Sequence, residues 1–545
     1  MTARHHTVLA TLLVLGGLFV MRLTNVEIQP YPEGLYALRG LSIQQTMQWL
    51  DQAAIAPGGM YSAMMPPLPA WMVAVGIDVV GPTPLAVRWF SVLCVMVTLL
   101  LTYALARRAV TFESSVMAMV IVGTSIPYIV VGRQADALVP LVMAALAIIW
   151  SSVTLGDAVS AAGRVLRVGV LAIAVAAGVL SAPIATLVVC IACVVFIRSS
   201  SQRLAVALGI GGGLLAGLPW WIVMASRYGE QVLFALSLPT PTLAVTSGGV
   251  LSPLHFLIVS SPLLVVALIW VVAALRDRTL LMSAEHPEVT ILGLLFAVGM
   301  LSMAISQDRF LAQAVVLVPP ASILSMIALE HIRRQTRATS LVVTFVCVVL
   351  AAVWFTIEHL LREAMSLQTI MLGVAISMVA VVLLLQQFRS RTARQSMTVR
   401  LYQPIVYGAV ALASVVALVR VVRPGPQSIM GGRSVSRLML DDTLFHRSFA
   451  YVFHNTSETD AVNAQLEWYT KGWMSGTRPG LTHMAIALPA NESDKATLAI
   501  ARLLPWVVYY HPRGHQRVTA DVEQSLQTTH NVAFTSDHYT LFKIR

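Results

Sequence analysis

Ionisable residues are scarce in the first 422 residues, and those that could do chemistry lie in a few short segments. Glu33 stands in an early loop, Arg133 and Asp136 are close together, and Arg227 and Arg309 follow later. A carboxylate can take the proton of an incoming acceptor, and the planar fork of arginine matches phosphate oxygens. The set holds the ingredients for group transfer from a phosphate-bearing donor, with the acids as bases and the arginines as phosphate ligands, while anchoring of helix ends at the membrane surface explains each arginine alone about as well.

The chain that carries these residues is strongly apolar. Of its 545 residues, 57% are hydrophobic and 11% are charged, and the mean hydropathy is +0.77. Soluble domains carry about a quarter charged residues. Apolar runs of membrane-crossing length predict about thirteen transmembrane helices, near 7–24, 83–107, 112–131, 137–155, 165–181, 184–198, 204–224, 252–274, 288–306, 311–330, 339–357, 367–386 and 403–422. The sequence therefore predicts a polytopic α-helical membrane domain over 1–422.

The formal net charge of +11 reflects arginines that cluster in alternate loops between these runs. They are Arg107, Arg108, Arg164, Arg167, Arg198, Arg203, Arg276, Arg278, Arg333, Arg334, Arg337, Arg389, Arg391, Arg394 and Arg400. Such enrichment is typical of cytoplasmic loops, so it indicates topology and gives no reason to expect a nucleic-acid partner. With an odd number of spans, we expect a multi-pass protein of the bacterial inner membrane, with its N-terminus in the cytoplasm and its C-terminus in the periplasm.

The first outer loop, 25–82, is long, and function tends to concentrate in such loops. It contains Glu33 and a stretch at 34–50 that predicts an amphipathic helix lying on the membrane surface. The face expected towards the lipid consists of Leu35, Leu38, Leu41, Met47 and Trp49. A second feature is the pair Pro66 and Pro67, which must lie in a loop or start a helix.

Residues 423–545 predict a small extracytoplasmic α/β domain. Short β-type runs at 449–453, 484–488, 506–510 and 532–534 alternate with helical stretches at 492–504 and 520–527, which favours a partly parallel sheet. All four cysteines lie in apolar runs, and no His or Cys cluster has the spacing of metal ligands. No metal site is therefore predicted; the outer carboxylates would permit a divalent cation and do not require one.

An ordered set of motifs resembles the membrane glycosyltransferases of the protein-mannosyltransferase and aminoarabinose-transferase type, which have the GT-C fold. The segment 32–37 is similar to their Asp-Glu-x-x-Tyr-Ala loop, 65–68 to their Lys-Pro-Pro-Leu, and 132–136 to their second acidic loop. Arg88 and Ser91 are similar to their Arg-x-x-Ser helix start, and 217–229 and 309–320 resemble later segments. The resemblance implies transfer of a sugar from a polyprenyl-phosphate lipid to an exported protein, glycolipid or glycan.

The resemblance also implies roles for individual residues. They are Glu33 and Asp136 as catalytic acids, Arg133, Arg309 and Arg227 as donor-phosphate ligands, and Tyr36 as a substrate-binding residue. Tyr61 and His255 lie outside the quoted motifs and are further candidates for substrate binding. Plainer interpretations stay open. Glu33 could be a helix-cap acid, Asp136 and Arg133 could form a local ion pair, and His255 could be an interfacial histidine.

Three positions depart from the family pattern. Pro32 replaces the first acid of the Asp-Glu pair, Met65 replaces the lysine before Pro-Pro-Leu, and Ser181 replaces the lysine of a Lys-Gly-Pro step. A positioned base is worth about 10²–10⁴ in rate, so two interpretations follow. The protein is an active transferase, or it is a degenerate scaffold within a membrane-protein complex. A solute carrier is disfavoured, because the sequence has no internal repeat and carries an exported tail.

Overall fold

The computed structural model describes residues 3–51, 66–197, 199–229, 232, 252–276, 286–305, 311–335, 338–356, 397–422, 432–441, 448–454, 468, 482–488, 504–510, 520–535 and 539–545. The chain divides into two compact units. The first comprises Met1–Arg22, Met64–Leu68 and Ser91–Pro424, and the second comprises Leu23–Ala63, Pro69–Phe90 and Gly425–Arg545. The predicted span 367–386 and the residues Tyr61, Met65 and Arg309 lie outside the described residues.

Apolar helices dominate the described chain, because a backbone surrounded by hydrocarbon must satisfy its own hydrogen bonds. The helices are α1 (Ala3–Val20), α2 (Leu35–Thr46), α3 (Pro67–Val80), α4 (Pro84–Ala109), α5 (Phe112–Thr124), α6 (Ile126–Val131), α7 (Leu138–Thr154), α8 (Ala161–Val179), α9 (Pro183–Phe196), α10 (Ser200–Tyr228), α11 (Ser252–Ser260), α12 (Val266–Arg276), α13 (Pro287–Ile305), α14 (Leu311–Gln335), α15 (Ala338–Thr356), α16 (Met397–Val422), α17 (Gly432–Asp441) and α18 (Ala520–Gln527). Among them, five segments are long and apolar enough to cross a membrane. The predicted polytopic α-helical membrane protein is confirmed, while the total of about thirteen spans stays a prediction.

The helix expected to lie on the membrane surface at 34–50 is present but shorter, and only part of its predicted lipid-facing side is exposed, namely Met47 and Trp49. Helix α2 covers only part of that stretch and buries Leu38 and Leu41, which were expected to face lipid. Gly40 lies so close to Val73 of α3 that a Cβ atom would collide with it. Helix α2 meets α3 closely at Gly40, and most of its side chains are buried, so it does not lie on the surface of the protein.

The second unit also contains a five-stranded sheet in the order β2-β1-β3-β5-β4. The strands are β1 (Ser448–His454), β2 (Thr482–Leu488), β3 (Trp506–Tyr510), β4 (His530–Thr535) and β5 (Tyr539–Ile544). Strand β1 pairs in parallel with β2 and β3, and β5 pairs antiparallel with β3 and β4. The predicted partly parallel sheet is therefore confirmed. Strand β5 was not predicted, and the helix expected at 492–504 lies, but for residue 504, outside the described residues.

Helix α18 covers one face of this sheet. Val522 and Leu526 of the helix join Val452, Val507 and Phe542 of the strands in one fully buried cluster. Val507 and Tyr509 join the cluster from alternate positions of β3, and Val522 and Leu526 are four apart along the helix, as expected of a strand face packed under an amphipathic helix. The location of this domain outside the cytoplasm stays a prediction.

Candidate active site

Glu33 and Arg88 form a buried ion pair in the second unit. Their side chains are 0% and 2% exposed, and the guanidinium meets the carboxylate at two points. Nε donates to Oε1 at 2.5 Å, and Nη2 donates to Oε2 at 2.9 Å. The remaining N–H groups donate to the backbone carbonyls of Leu23, Val26 and Glu27 at 2.6, 2.9 and 2.9 Å. All five donors of the arginine therefore have an acceptor.

The backbone completes the surroundings of Glu33. The N–H of Gln29 donates to Oε2 at 2.6 Å, and the N–H of Gly34 donates to the Gln29 carbonyl at 2.8 Å. The second bond closes a π-helical turn, Pro30–Gly34, that carries Pro32 at the position of the family aspartate. Both oxygens of Glu33 thus accept hydrogen bonds, and the fully buried carboxylate is held in place by Arg88 and the Gln29 N–H.

Arg88 belongs to the segment that resembles the Arg-x-x-Ser motif, and the sequence alone predicts no role for it. It lies near the start of α4, a long apolar helix where a charged side chain is costly unless it is paired. This cost of an unpaired charge is the feature of the sequence that points to a functional or structural partner for Arg88. Its partner, Glu33, is 55 residues earlier in the chain, and no spacing rule connects the two.

Asp136, in the first unit, differs from Glu33 because one of its oxygens has no partner. It lies in the turn between α6 and α7 and is 1% exposed. Oδ1 accepts the N–H of Leu138 at 2.8 Å, whereas no described residue donates a hydrogen bond to the buried Oδ2. Burial raises the pKa of this carboxyl from 3.8 to about 7, against a smaller lowering by the N–H groups of Leu138 and Ala137. Such a group can take up and release a proton near neutral pH.

Arg133 lies in the same turn as Asp136 and is half-buried. Its Nη2 donates to the carbonyl of Met21, just beyond α1, at 2.5 Å. The preceding Gly132 packs so tightly that a Cβ atom would lie 2.7 Å from Val95 and 3.0 Å from Phe19. The turn is therefore held against α1 and α4, and it brings a cation and an acid to one end of α7.

The other candidate residues are placed in different surroundings. Arg227 is exposed in the last turn of α10, and Tyr36 is fully buried in α2. His255 is half-buried in α11, and its ring meets that of Trp354 edge to face with centroids 6.1 Å apart. In the part of the chain that the structure describes, no group of three His, Cys, Asp or Glu side chains is arranged to hold a metal ion.

Ser181 lies in a turn whose polar groups are bonded to uncharged partners. Its hydroxyl donates to a carbonyl one turn earlier in the chain. The adjacent carbonyls of Val179 and Leu180 accept the indole N–H of Trp221 at 2.9 Å and the backbone N–H of Leu68 at 3.4 Å. The Pro-Pro-Leu segment and the turn that carries a lysine in the family are therefore neighbours. Ser181 brings no positive charge to this turn.

Comparisons with known proteins agree with the motif pattern. The model of the dolichyl-phosphate-mannose-protein mannosyltransferase family matches residues 64–223, and a comparison with curated proteins finds no match. Crystal structures of ArnT from Cupriavidus metallidurans, in the apo state and bound to undecaprenyl phosphate, are 15% and 14% identical to the chain. They superpose with TM-scores of 0.64 and 0.66 over 99% of this chain and 98% of theirs. The chain has the GT-C fold.

A third match comes from a different enzyme. The oligosaccharyltransferase AglB from Archaeoglobus fulgidus, in complex with an inhibitory peptide and a dolichol-phosphate, is 9% identical, with a TM-score of 0.56 over 94% of this chain and 70% of AglB. The predicted resemblance to the GT-C glycosyltransferases is thus confirmed. Arg88, Arg133, Asp136 and Ser181 lie within the segment that the family model matches, and Glu33 lies before it.

Proposed function

We propose that the protein is a membrane glycosyltransferase that moves a sugar from a polyprenyl-phosphate donor to an exported protein, glycolipid or glycan. The observation that carries this proposal is Asp136, a buried carboxyl with a pKa near 7 and an oxygen with no partner among the described residues. A buried carboxyl with no second partner lowers stability, and such groups are concentrated at functional sites. Asp136 also lies inside the segment matched by the family model.

In the proposed reaction Asp136 acts as the general base. Its Oδ2 takes the proton of the acceptor's hydroxyl or amine while the acceptor atom bonds to the anomeric carbon of the sugar. The bond from that carbon to the phosphate oxygen breaks, and the polyprenyl phosphate leaves with the electron pair. Arg133, Arg227 and Arg309 are the proposed ligands of the leaving phosphate, since guanidinium groups stabilise the charge that develops there.

Glu33 takes a positioning role in this proposal. Its bond to Arg88 holds the loop from Leu23 to Gly34 in one conformation, and a loop fixed in this way can present side chains to a bound sugar. Tyr36, Tyr61 and His255 remain the proposed substrate-binding residues. The proposal also keeps the inner-membrane topology, with the membrane domain at 1–422 and the domain at 423–545 on the periplasmic side.

The direct test is turnover of polyprenyl-phosphate pentoses and hexoses by the full chain in lipid nanodiscs. Asp136→Asn keeps an acceptor for the Leu138 N–H but cannot take a proton, so we expect a rate lower by about 10²-fold or more. Asp78→Asn, which alters an exposed aspartate of α3, is the matched control and should keep the wild-type rate. Equal rates for wild type and Asp136→Asn, or no turnover by wild type of any such donor, would contradict the proposal.

A second candidate function is a non-catalytic scaffold, and the hydrogen bonds that hold Glu33 favour it. Glu33 is the acid retained from the Asp-Glu pair, and it is bonded to Arg88 and to the N–H of Gln29. A scaffold would be recovered with other membrane proteins after mild detergent extraction and would show no turnover. A protein recovered alone, with measurable turnover, would exclude it.

A further inference from the structure

Helices α8 and α10 of the first unit run in the same direction and pack closely. Gly209, Gly213 and Gly217 of α10 lie against Leu171, Val175 and Val179 of α8, and a Cβ atom on any of the three would collide. Each glycine therefore faces a residue 38 positions earlier in the chain. This constant offset places the N-terminal ends of both helices at the same level.

Contacts at those N-terminal ends support the same alignment. Both helices contact the short 3₁₀ turn Leu155–Asp157. Gln202, in the first turn of α10, donates to the carbonyl of Ser152 at 2.8 Å. The offset of 38 then sets Arg203 of α10 level with residue 165, between Arg164 and Arg167 of α8. We call these three arginines the basic patch.

The basic patch has no acidic partner among the described residues. None of its members forms an ion pair there, and Arg167 has a buried Nη1 without a hydrogen-bond partner. Arg203 donates from Nε to the carbonyl of Ile197. The acid of the adjacent turn, Asp157, is already paired with Arg108 at 2.6 Å. Two helix N-termini at one level add further positive potential.

The side chains around the basic patch are apolar and exposed. Val165 and Leu166 of α8 are 71% and 68% exposed, and Leu204 of α10 is 64% exposed. In a membrane protein such a surface faces lipid. The patch therefore lies where lipid-facing helix surface meets the helix ends, which is the level of lipid headgroups. Arginine at this level is suited to phosphate oxygens.

We propose that the basic patch binds the phosphate of an anionic phospholipid in the leaflet that the sequence predicts to be cytoplasmic. This site is independent of the glycosyltransferase proposal. The choice of a lipid over a soluble anion follows from the exposed apolar side chains on both helices, which acyl chains would cover. Each arginine near a membrane surface contributes about a five-fold gain in affinity for anionic lipid.

The test measures lipid binding by the full chain in phosphatidylcholine nanodiscs doped with phosphatidylglycerol or cardiolipin. Native mass spectrometry counts the retained lipid, and melting temperature reports its effect on stability. We expect anionic lipid to be retained and to stabilise the wild type. In Arg164→Gln/Arg167→Gln the affinity should fall about 25-fold, since two contributions of about five-fold are lost.

Two further variants separate a specific site from general charge. Arg164→Lys/Arg167→Lys keeps both charges and should keep most of the binding. Arg391→Gln/Arg394→Gln removes two charges from another predicted cytoplasmic loop and should leave it unchanged. The proposal is overturned if the Arg164/Arg167 and Arg391/Arg394 glutamine variants lose equal affinity, or if phosphatidylcholine is retained as well as anionic lipid. Equal stabilisation by inorganic phosphate alone would overturn it in favour of a soluble-anion site.

Discussion

Asp136→Asn should make the protein more stable while it slows transfer by about 10²-fold or more. Burial raises the pKa of Asp136 from 3.8 in an exposed carboxyl to about 7. The folded state therefore holds the proton more tightly than the unfolded state does. Well below pH 3.8 both states are protonated, and the carboxyl carries no penalty. As the pH rises from about 4 to about 7, the unfolded state ionises freely while the folded state resists, so the wild-type protein loses stability across that window.

The size of the stability difference follows from the pKa shift of Asp136. A rise of about three pKa units corresponds to about 4 kcal/mol at pH 8, where the buried carboxyl is ionised with one oxygen lacking a hydrogen bond. Asparagine cannot ionise, and it keeps an acceptor for the Leu138 N–H. The variant should therefore match the wild type at pH 4 and exceed it by up to about 4 kcal/mol at pH 8.

The assay is denaturant unfolding in mixed micelles, followed by tryptophan fluorescence at four pH values between 4 and 8. Wild type and Asp136→Asn are compared at each pH, so that groups shared by the two proteins cancel. Asp78→Asn serves again as the exposed control and should differ from wild type by the same small amount at every pH. A pH-independent difference for Asp136→Asn, or a loss of stability at pH 8, would refute the reasoning.

Three other perturbations test the same geometry. If Asp136 is the base, the rate of transfer should rise with pH and level off above about 7, and a pH–rate profile that is flat through this range would count against it. Arg88→Lys keeps the charge but supplies three donors where five are used, and unfolding should show a loss of about 2–3 kcal/mol; a variant as stable as wild type would mean that the carbonyl bonds are weak. Trp221→Phe removes the indole N–H bonded to the Val179 carbonyl at 2.9 Å, and thermal unfolding should report about 1 kcal/mol, with Trp354→Phe, a half-exposed tryptophan, as the control.

The transmembrane part of the fold was largely predictable, because lipid allows the backbone few solutions. The apolar runs at 83–107, 137–155 and 204–224 coincide with α4, α7 and α10 to within a few residues. Helix α3 lies within the stretch predicted as the loop 25–82, and its fourteen residues are too few to cross a bilayer. The length of an apolar run identifies the helices that span the membrane. It does not identify a short helix, such as α3, that packs inside a unit.

The surroundings of the candidate acids could not be predicted from sequence. Residues Leu38 and Leu41 have a pattern that suits lipid or protein equally well, and only the structure shows that both are buried within the protein. The pairing of Glu33 with Arg88 joins positions 55 residues apart, which no local pattern encodes. For Asp136 the sequence predicts an acid in a turn, but only the structure shows that its Oδ2 is buried without a partner in the described chain.

Glu33→Gln separates a positioning acid from a catalytic one when it is compared with Asp136→Asn. Loss of the Glu33 charge leaves Arg88 buried and uncompensated, so we expect unfolding to become easier by about 3–5 kcal/mol, together with slower transfer. Asp136→Asn should slow transfer while stability at pH 8 rises.

The double variant Glu33→Gln/Arg88→Gln shows how much of the stability lost in Glu33→Gln comes from the uncompensated charge of Arg88. It removes both charges and should recover part of the stability, but not all of it, because Arg88 also bonds to the carbonyls of Leu23, Val26 and Glu27. If Glu33→Gln instead abolished transfer at unchanged stability, Glu33 would have to leave Arg88 during the reaction. The base would then be Glu33, and the open oxygen of Asp136 would need another explanation.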